Sequence, residues 1–181
     1  NCLKSLNEGI VKPSEIIIID NGSTDNYKMM LDKYYRDLNI LYIHNDENIG
    51  VNASWNLALN ITRRKNILFL NNDTYANIYF IQKVLNVMKD PNIGICSPRR
   101  EIAIHHLPLN NFPEENPEIE DSIYIDGWAY TMKKEIFEKA GPIPSIFKTY
   151  MGDSYFYSCS SWLGYRNVRM SKNTVWHHGS G

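Results

Sequence analysis

The chain has 181 residues, 43% of them apolar and 22% charged, which suits one globular domain with a core of its own. A formal net charge of -1, with lysine and arginine scattered, provides no basic stripe and so excludes the simplest electrostatic case for a nucleic-acid partner. No apolar run approaches the ~18 residues of a membrane span, and Cys2, Cys96 and Cys159 lack the spacing of a zinc site or disulfide framework, so they read as reduced thiols in a cytoplasmic protein.

Leu3 and Leu6 belong to the end of a helix closed by Gly9. Glu15 to Asp20 is β-branched and uniformly apolar until its last residue, which predicts a fully buried strand. Tyr27, Met30, Leu31, Tyr34 and Leu38 recur at helical spacing after Ser, Thr and Asp as capping candidates. A short strand over Ile40 to His44, a helical face from Val51 to Thr62 and a buried strand over Asn66 to Asn71 follow. Ile78 to Met88 predicts a third helix and Ile93 to Ser97 another strand. The alternation is that of a doubly wound, mostly parallel sheet, an α/β fold of Rossmann-like type.

In such sheets ligands bind beyond the carboxyl ends of the strands, where Asp20 to Asp25, Asn45 to Gly50 and Asn71 to Thr74 all fall. The second half is less regular. His105 to Ser122 reads as a long loop, with His105 and His106 lacking partners at metal-ligand spacing. A strand over Ser122 to Asp126, the turn Gly127-Trp128, a helix around Lys133 to Lys139, a helix over Asp153 to Leu163 and a strand over Tyr165 to Met170 complete the chain. We read one domain, 1–181, with a nucleotide half (1–97) and an acceptor half (98–181). A doubly wound sheet has its first strand at the centre, and none precedes the opening helix. The natural polypeptide is therefore expected to extend before Asn1 by a strand and short loop, roughly 10–15 residues.

Asp73, at the end of a buried strand, is the carboxylate best placed to hold a divalent cation on a diphosphate; capping of the next helix is the plainer alternative. Asp20 to Asp25 alternates oxygen side chains like a calcium loop. Gly22 occupies a ligand position there and the downstream glutamate is absent, so that reading fails.

Ile17-Ile18-Ile19-Asp20-Asn21-Gly22-Ser23-Thr24-Asp25, Glu47-Asn48-Ile49-Gly50 and Phe69-Leu70-Asn71-Asn72-Asp73-Thr74, with looser matches at Asp126-Gly127, Ala140-Gly141-Pro142, Asp153 and His177-His178-Gly179, resemble the family 2 glycosyltransferases of the GT-A fold. The resemblance implies a hexosyltransferase that moves a sugar, with inversion, from a nucleotide-diphosphate donor (UDP first among the candidates) to a glycan, lipid-linked or protein acceptor. It implies donor contacts from Asp20, Asn21, Ser23, Asn52, Asn72 and Asp73, and a Mn²⁺ or Mg²⁺ cofactor held by Asp73 and His177. Gly127 and Trp128 would face the acceptor, and Asp153 would be the catalytic base. The chain departs from the family pattern where Asn71 replaces the first carboxylate of Asp-x-Asp and Gly152 the glutamate of Glu-Asp. Two other readings stay open: a nucleotidyltransferase, and a non-catalytic nucleotide- or glycan-binding module of the same fold.

Overall fold

The computed structural model describes residues 1–99, 101–102, 118–171 and 175–177. The first half forms where its apolar periodicity predicts: helix α1 (Cys2–Glu8), strand β1 (Ile16–Asp20), α2 (Tyr27–Tyr34), β2 (Ile40–His44), α3 (Val51–Ile61) and β3 (Asn66–Leu70). Helix α2 stops short of Leu38, because Tyr35 N–H closes on Leu31 and Leu38 N–H on Tyr35, turning the chain so that Leu38 is buried.

Beyond β3 the chain makes β4 (Thr74–Ala76), α4 (Phe80–Val87), β5 (Ile93–Ser97), β6 (Glu101–Ile102), β7 (Ile119–Asp121), β8 (Ala129–Lys133), α5 (Lys134–Ala140), α6 (Gly152–Trp162), β9 (Arg166–Met170) and β10 (Val175–His177). The strand expected over Ser122 to Asp126 is absent. Ser122 instead folds back on Tyr124, its hydroxyl donating to the Tyr124 carbonyl at 2.5 Å, and the strand lies before it as β7. Residues 105–117 of the expected long loop, His105 and His106 among them, and His178 and Gly179 lie outside the described residues.

Among the described residues the strands form three sheets: β1-β2, β4-β10-β6 and β3-β8-β5-β9-β7. The parallel run expected of the first half is interrupted, since β8 lies between β3 and β5 and is antiparallel to both. Sequence order concealed this, because Ala129-Tyr130-Thr131-Met132 reads locally as the approach to a helix. β5 is buried along its whole length, and its residues serve two cores on opposite faces. Phe80, Met88, Cys96, Val168 and Met170 fill one; Leu59, Ile95, Tyr130, Met132 and Phe156 fill the other.

β1, expected to be fully buried, is only partly so until Asp20, and β3 likewise apart from Phe69. Among the described residues β1 pairs with β2 alone and β3 with β8 alone, so each presents one unpaired edge. Because β8 runs against β3, its start meets the carboxyl end of β3. That reversal brings Trp128, just before β8, to the Asn71-Asn72-Asp73 turn, where Asn71 N–H donates to the Trp128 carbonyl at 2.8 Å.

Candidate active site

Asp73 follows directly on this contact and precedes β4. Antiparallel pairing sets Thr74 opposite His177, so the last residue of β10 arrives beside the carboxylate. Asp73 Oδ1 lies 3.2 Å from His177 Nε2. The pair is close, yet neither atom has a hydrogen-bond partner, and both are buried. A carboxylate oxygen and an imidazole nitrogen that converge while lacking a bond of their own suit a divalent cation of the Mn²⁺ or Mg²⁺ kind, with other ligands from diphosphate and water. The described residues contain no cluster of three or more potential metal-ligating side chains, so they would offer only part of the coordination. Asn71 and Asn72 are exposed at the same turn.

Trp128, expected to offer its face to an acceptor sugar, is 7% exposed and stacks instead on His177, with ring centroids 5.0 Å apart and planes 13° from parallel. An indole packed flat on an imidazole fixes the ring's orientation and leaves little face for a ligand. Trp128 thus supports His177. Gly127, its neighbour, packs against α6: a Cβ there would stand 2.7 Å from Asp153 Oδ2. The Asp153 carboxylate occupies the first turn of α6, partly exposed, where the helix N-terminus favours negative charge. Its Oδ1 accepts the Ser154 N–H at 2.7 Å. The helix cap is Met151, in the left-handed region at φ 71°, so Asp153 does not itself cap the helix. Asp73, His177, Trp128, Gly127 and Asp153 therefore form one continuous line of contacts.

The end of β1 is organised around Asp20. Its carboxylate accepts the Ser23 N–H at 2.9 Å and the Tyr42 hydroxyl, and His44 Nδ1 lies 3.2 Å away. Asn21 Oδ1 accepts from Asn45 Nδ2 and from the Ser54 hydroxyl, each at 2.9 Å, tying the β1 and β2 ends to α3. The Asp20 side chain, expected to accept from a base, is 7% exposed and already engaged by these donors, whereas Ser23 and Thr24 are exposed beside it. Hydrogen bonding from Ser23, then from Tyr42, holds the Asp20 carboxyl well below the usual carboxylate range. The same contact with Asp20 pushes the Tyr42 hydroxyl up to about 12.

Since an unfolded aspartate titrates near ~3.9, folded Asp20 binds fewer protons than the unfolded chain below neutrality. Its stabilising contribution is complete above about pH 5 and is lost as pH falls through ~4 toward the folded value. Chemical denaturation of Asp20→Asn between pH 7 and 3 should show a lower plateau and a shallower acid decline than the parent. Parallel curves would remove Asp20 as the acid-sensitive group.

Asn52, expected to touch the donor, is 2% exposed, and its amide is taken up elsewhere. Asn52 Nδ2 donates to the carbonyls of Phe147 at 2.7 Å and Tyr150 at 2.9 Å. One turn along α3, Asn56 makes a matched pair of bonds to Ile143, accepting its N–H and donating to its carbonyl, both at 2.9 Å. Both asparagines thus fasten the segment before α6 to α3.

The model of glycosyl transferase family 2 matches residues 1–166. The chain belongs to that family. A teichoic acid poly(glycerol phosphate) polymerase of Staphylococcus epidermidis is 32% identical over 91 residues, which cover 47% of this chain and 13% of the polymerase. Staphylococcus aureus TarS 1-349 in complex with UDP-GlcNAc superposes with a TM-score of 0.76 at 16% identity, over 99% of this chain and 54% of that one. GalNAc-T7 with UDP, GalNAc and Mn²⁺ gives 0.78 at 13%, over 97% and 40%. At such identity the structures show the fold, which is that of the GT-A glycosyltransferases. The chain spans about half the length of these structures, or less, and a small part of the polymerase.

Against the family-2 pattern, the geometry adds two residues that sequence reasoning passed over. Tyr130 is wholly buried in β8 with no partner for its hydroxyl; burial pushes that hydroxyl well above its ordinary range, and the Asp153 charge adds to the shift. Arg169 on β9 lies 3.8 Å from Asp126, next to Gly127, with its guanidinium 4.4 Å over the Tyr124 ring. Tyr130 gave no signal distinct from any core aromatic and Arg169 none beyond its charge, although its partner Asp126 stands in the Asp126-Gly127 match.

Proposed function

We propose that the chain transfers a sugar, with inversion, from a nucleotide-diphosphate donor to an acceptor hydroxyl, with a uridine nucleotide as the carrier. The observation that carries this reading is the continuous line from the Asp73–His177 pair, through Trp128 and Gly127, to the Asp153 carboxylate. It puts a group able to take a proton at one end of the site and two potential metal-ligating atoms at the other. Asp153 accepts the proton of the acceptor O–H as that oxygen bonds to the anomeric carbon. The bond from this carbon to the diphosphate oxygen breaks on the opposite face, and its electron pair leaves with the diphosphate. Asp73 and His177 would hold Mn²⁺ or Mg²⁺, which when bound offsets the charge growing on the leaving group. Ser23 and Asn72, exposed beyond the ends of β1 and β3, are available to the nucleotide. The UDP and UDP-GlcNAc bound by structural neighbours support the uridine assignment.

A thermal-shift panel of UDP, GDP and dTDP, with and without Mn²⁺, tests this reading. A ligand that binds only the folded state raises the midpoint, by about 2.7 kcal/mol of stabilisation at a hundredfold excess over Kd. UDP with Mn²⁺ should give the largest rise. An equal response to all three, or none, would count against a uridine donor.

A further inference from the structure

The structure assigns Asn52 a role as a positioning residue: from α3 it replaces the side chain missing at Gly152 and sets the direction of Asp153. This rests on the transferase reading of Asp153. A Cβ added at Gly152 would lie 2.1 Å from Asn52 Oδ1 and 3.1 Å from the Trp55 ring. That distance is far inside contact, so the carboxamide of Asn52 occupies the space where a side chain at position 152 would begin. The departure at Gly152 thus coincides with an asparagine on α3 that fills the space a side chain there would need.

The rest of the geometry shows what the asparagine does there. Its Nδ2 holds the Phe147 and Tyr150 carbonyls, and its own N–H reaches Lys148 O at 3.4 Å. Gly50, one residue before α3, sits at φ 86° and comes so close that a Cβ would meet Lys148 O at 2.7 Å. The segment is thereby pressed onto the start of α3 and must re-enter helix at once, which it does through Met151 at φ 71°. Asp153 follows two residues later, so its direction depends on how this turn is seated. The buried Asn52 Oδ1 has no hydrogen-bond partner. An unpaired buried acceptor is unfavourable, and the two bonds made by Nδ2 hold this oxygen against Gly152 despite that.

The test is a cycle of variants in the full chain: Asn52→Ala, Gly152→Ala and Asn52→Ala/Gly152→Ala. UDP affinity, hydrolysis of UDP-N-acetylglucosamine and thermal midpoint are measured on each. A base displaced by about 1 Å can slow turnover by up to ~10²-fold, so Asn52→Ala should lower kcat tenfold or more with UDP affinity unchanged. Gly152→Ala should lower kcat and midpoint while Asn52 is present. In the Asn52→Ala background the added methyl should lower neither further. Weakened UDP affinity in Asn52→Ala would make Asn52 a donor contact and overturn the assignment. Independent effects at the two positions would overturn it too. Should the parent hydrolyse no nucleotide sugar, the transferase reading fails; the midpoint cycle still decides whether Asn52 and Gly152 are coupled, and additive midpoints would reject that coupling.

Discussion

Replacing Asp153 by asparagine should slow sugar transfer by roughly 10²–10⁴-fold, the usual loss when a positioned general base is removed. The amide preserves the shape against Gly127 and can still accept the Ser154 N–H, so the thermal midpoint should change little. Asp153 is at the α6 end of the line and Asp73 at the other, so UDP affinity measured by calorimetry should stay within twofold (roughly 0.4 kcal/mol) of the parent. Near-normal turnover in the variant would exclude Asp153 as the base. A matching loss of UDP affinity would move it to the donor side.

Asp73→Ala should weaken Mn²⁺-dependent UDP binding by more than the roughly 10–100-fold that changes outside the coordination shell produce. Asp73 is the one carboxylate left in the family-2 metal motif, and its partner His177 cannot supply the lost negative charge. The residue is about a third exposed and its Oδ1 has no hydrogen-bond partner, so folding should survive the substitution. Titration of UDP with and without Mn²⁺ provides the measurement. Metal-dependent affinity equal to the parent's would take Asp73 out of the site, while loss of UDP binding in the absence of metal as well would indicate a disturbed fold.

How much of this was legible in the sequence follows from the range of the interactions. β1, β2, β3 and β5 were readable because each carries a short apolar run, and β2 and β5 have the expected boundaries. β4 and β10 have three residues each and exist through pairing with one another across most of the chain, so no local pattern marks them. The same holds for β8, whose antiparallel place between β3 and β5 is a tertiary fact. At the site, Asp73 and Asp153 stood out as carboxylates beside a strand end and a helix start. The roles of Trp128 and Asn52 were open, because an aromatic can stack on a sugar or on a histidine, and an asparagine can bind a ligand or a loop. Only the partner decides, and both partners lie far along the chain.

The placement of β8 also bears on how the polypeptide is made. On the ribosome, β3 emerges well before the segment that will lie against it, and β5 likewise waits for β8 and β9. Within residues 1–97, β1 and β2 can pair with each other during synthesis, whereas β3, β4 and β5 lack neighbours that have yet to be translated. Such distant pairings slow folding, and the waiting strands present open edges in the meantime. The two halves that the sequence invites one to separate share one sheet, so cutting the gene between them should yield two fragments of low solubility, which sedimentation of each would check.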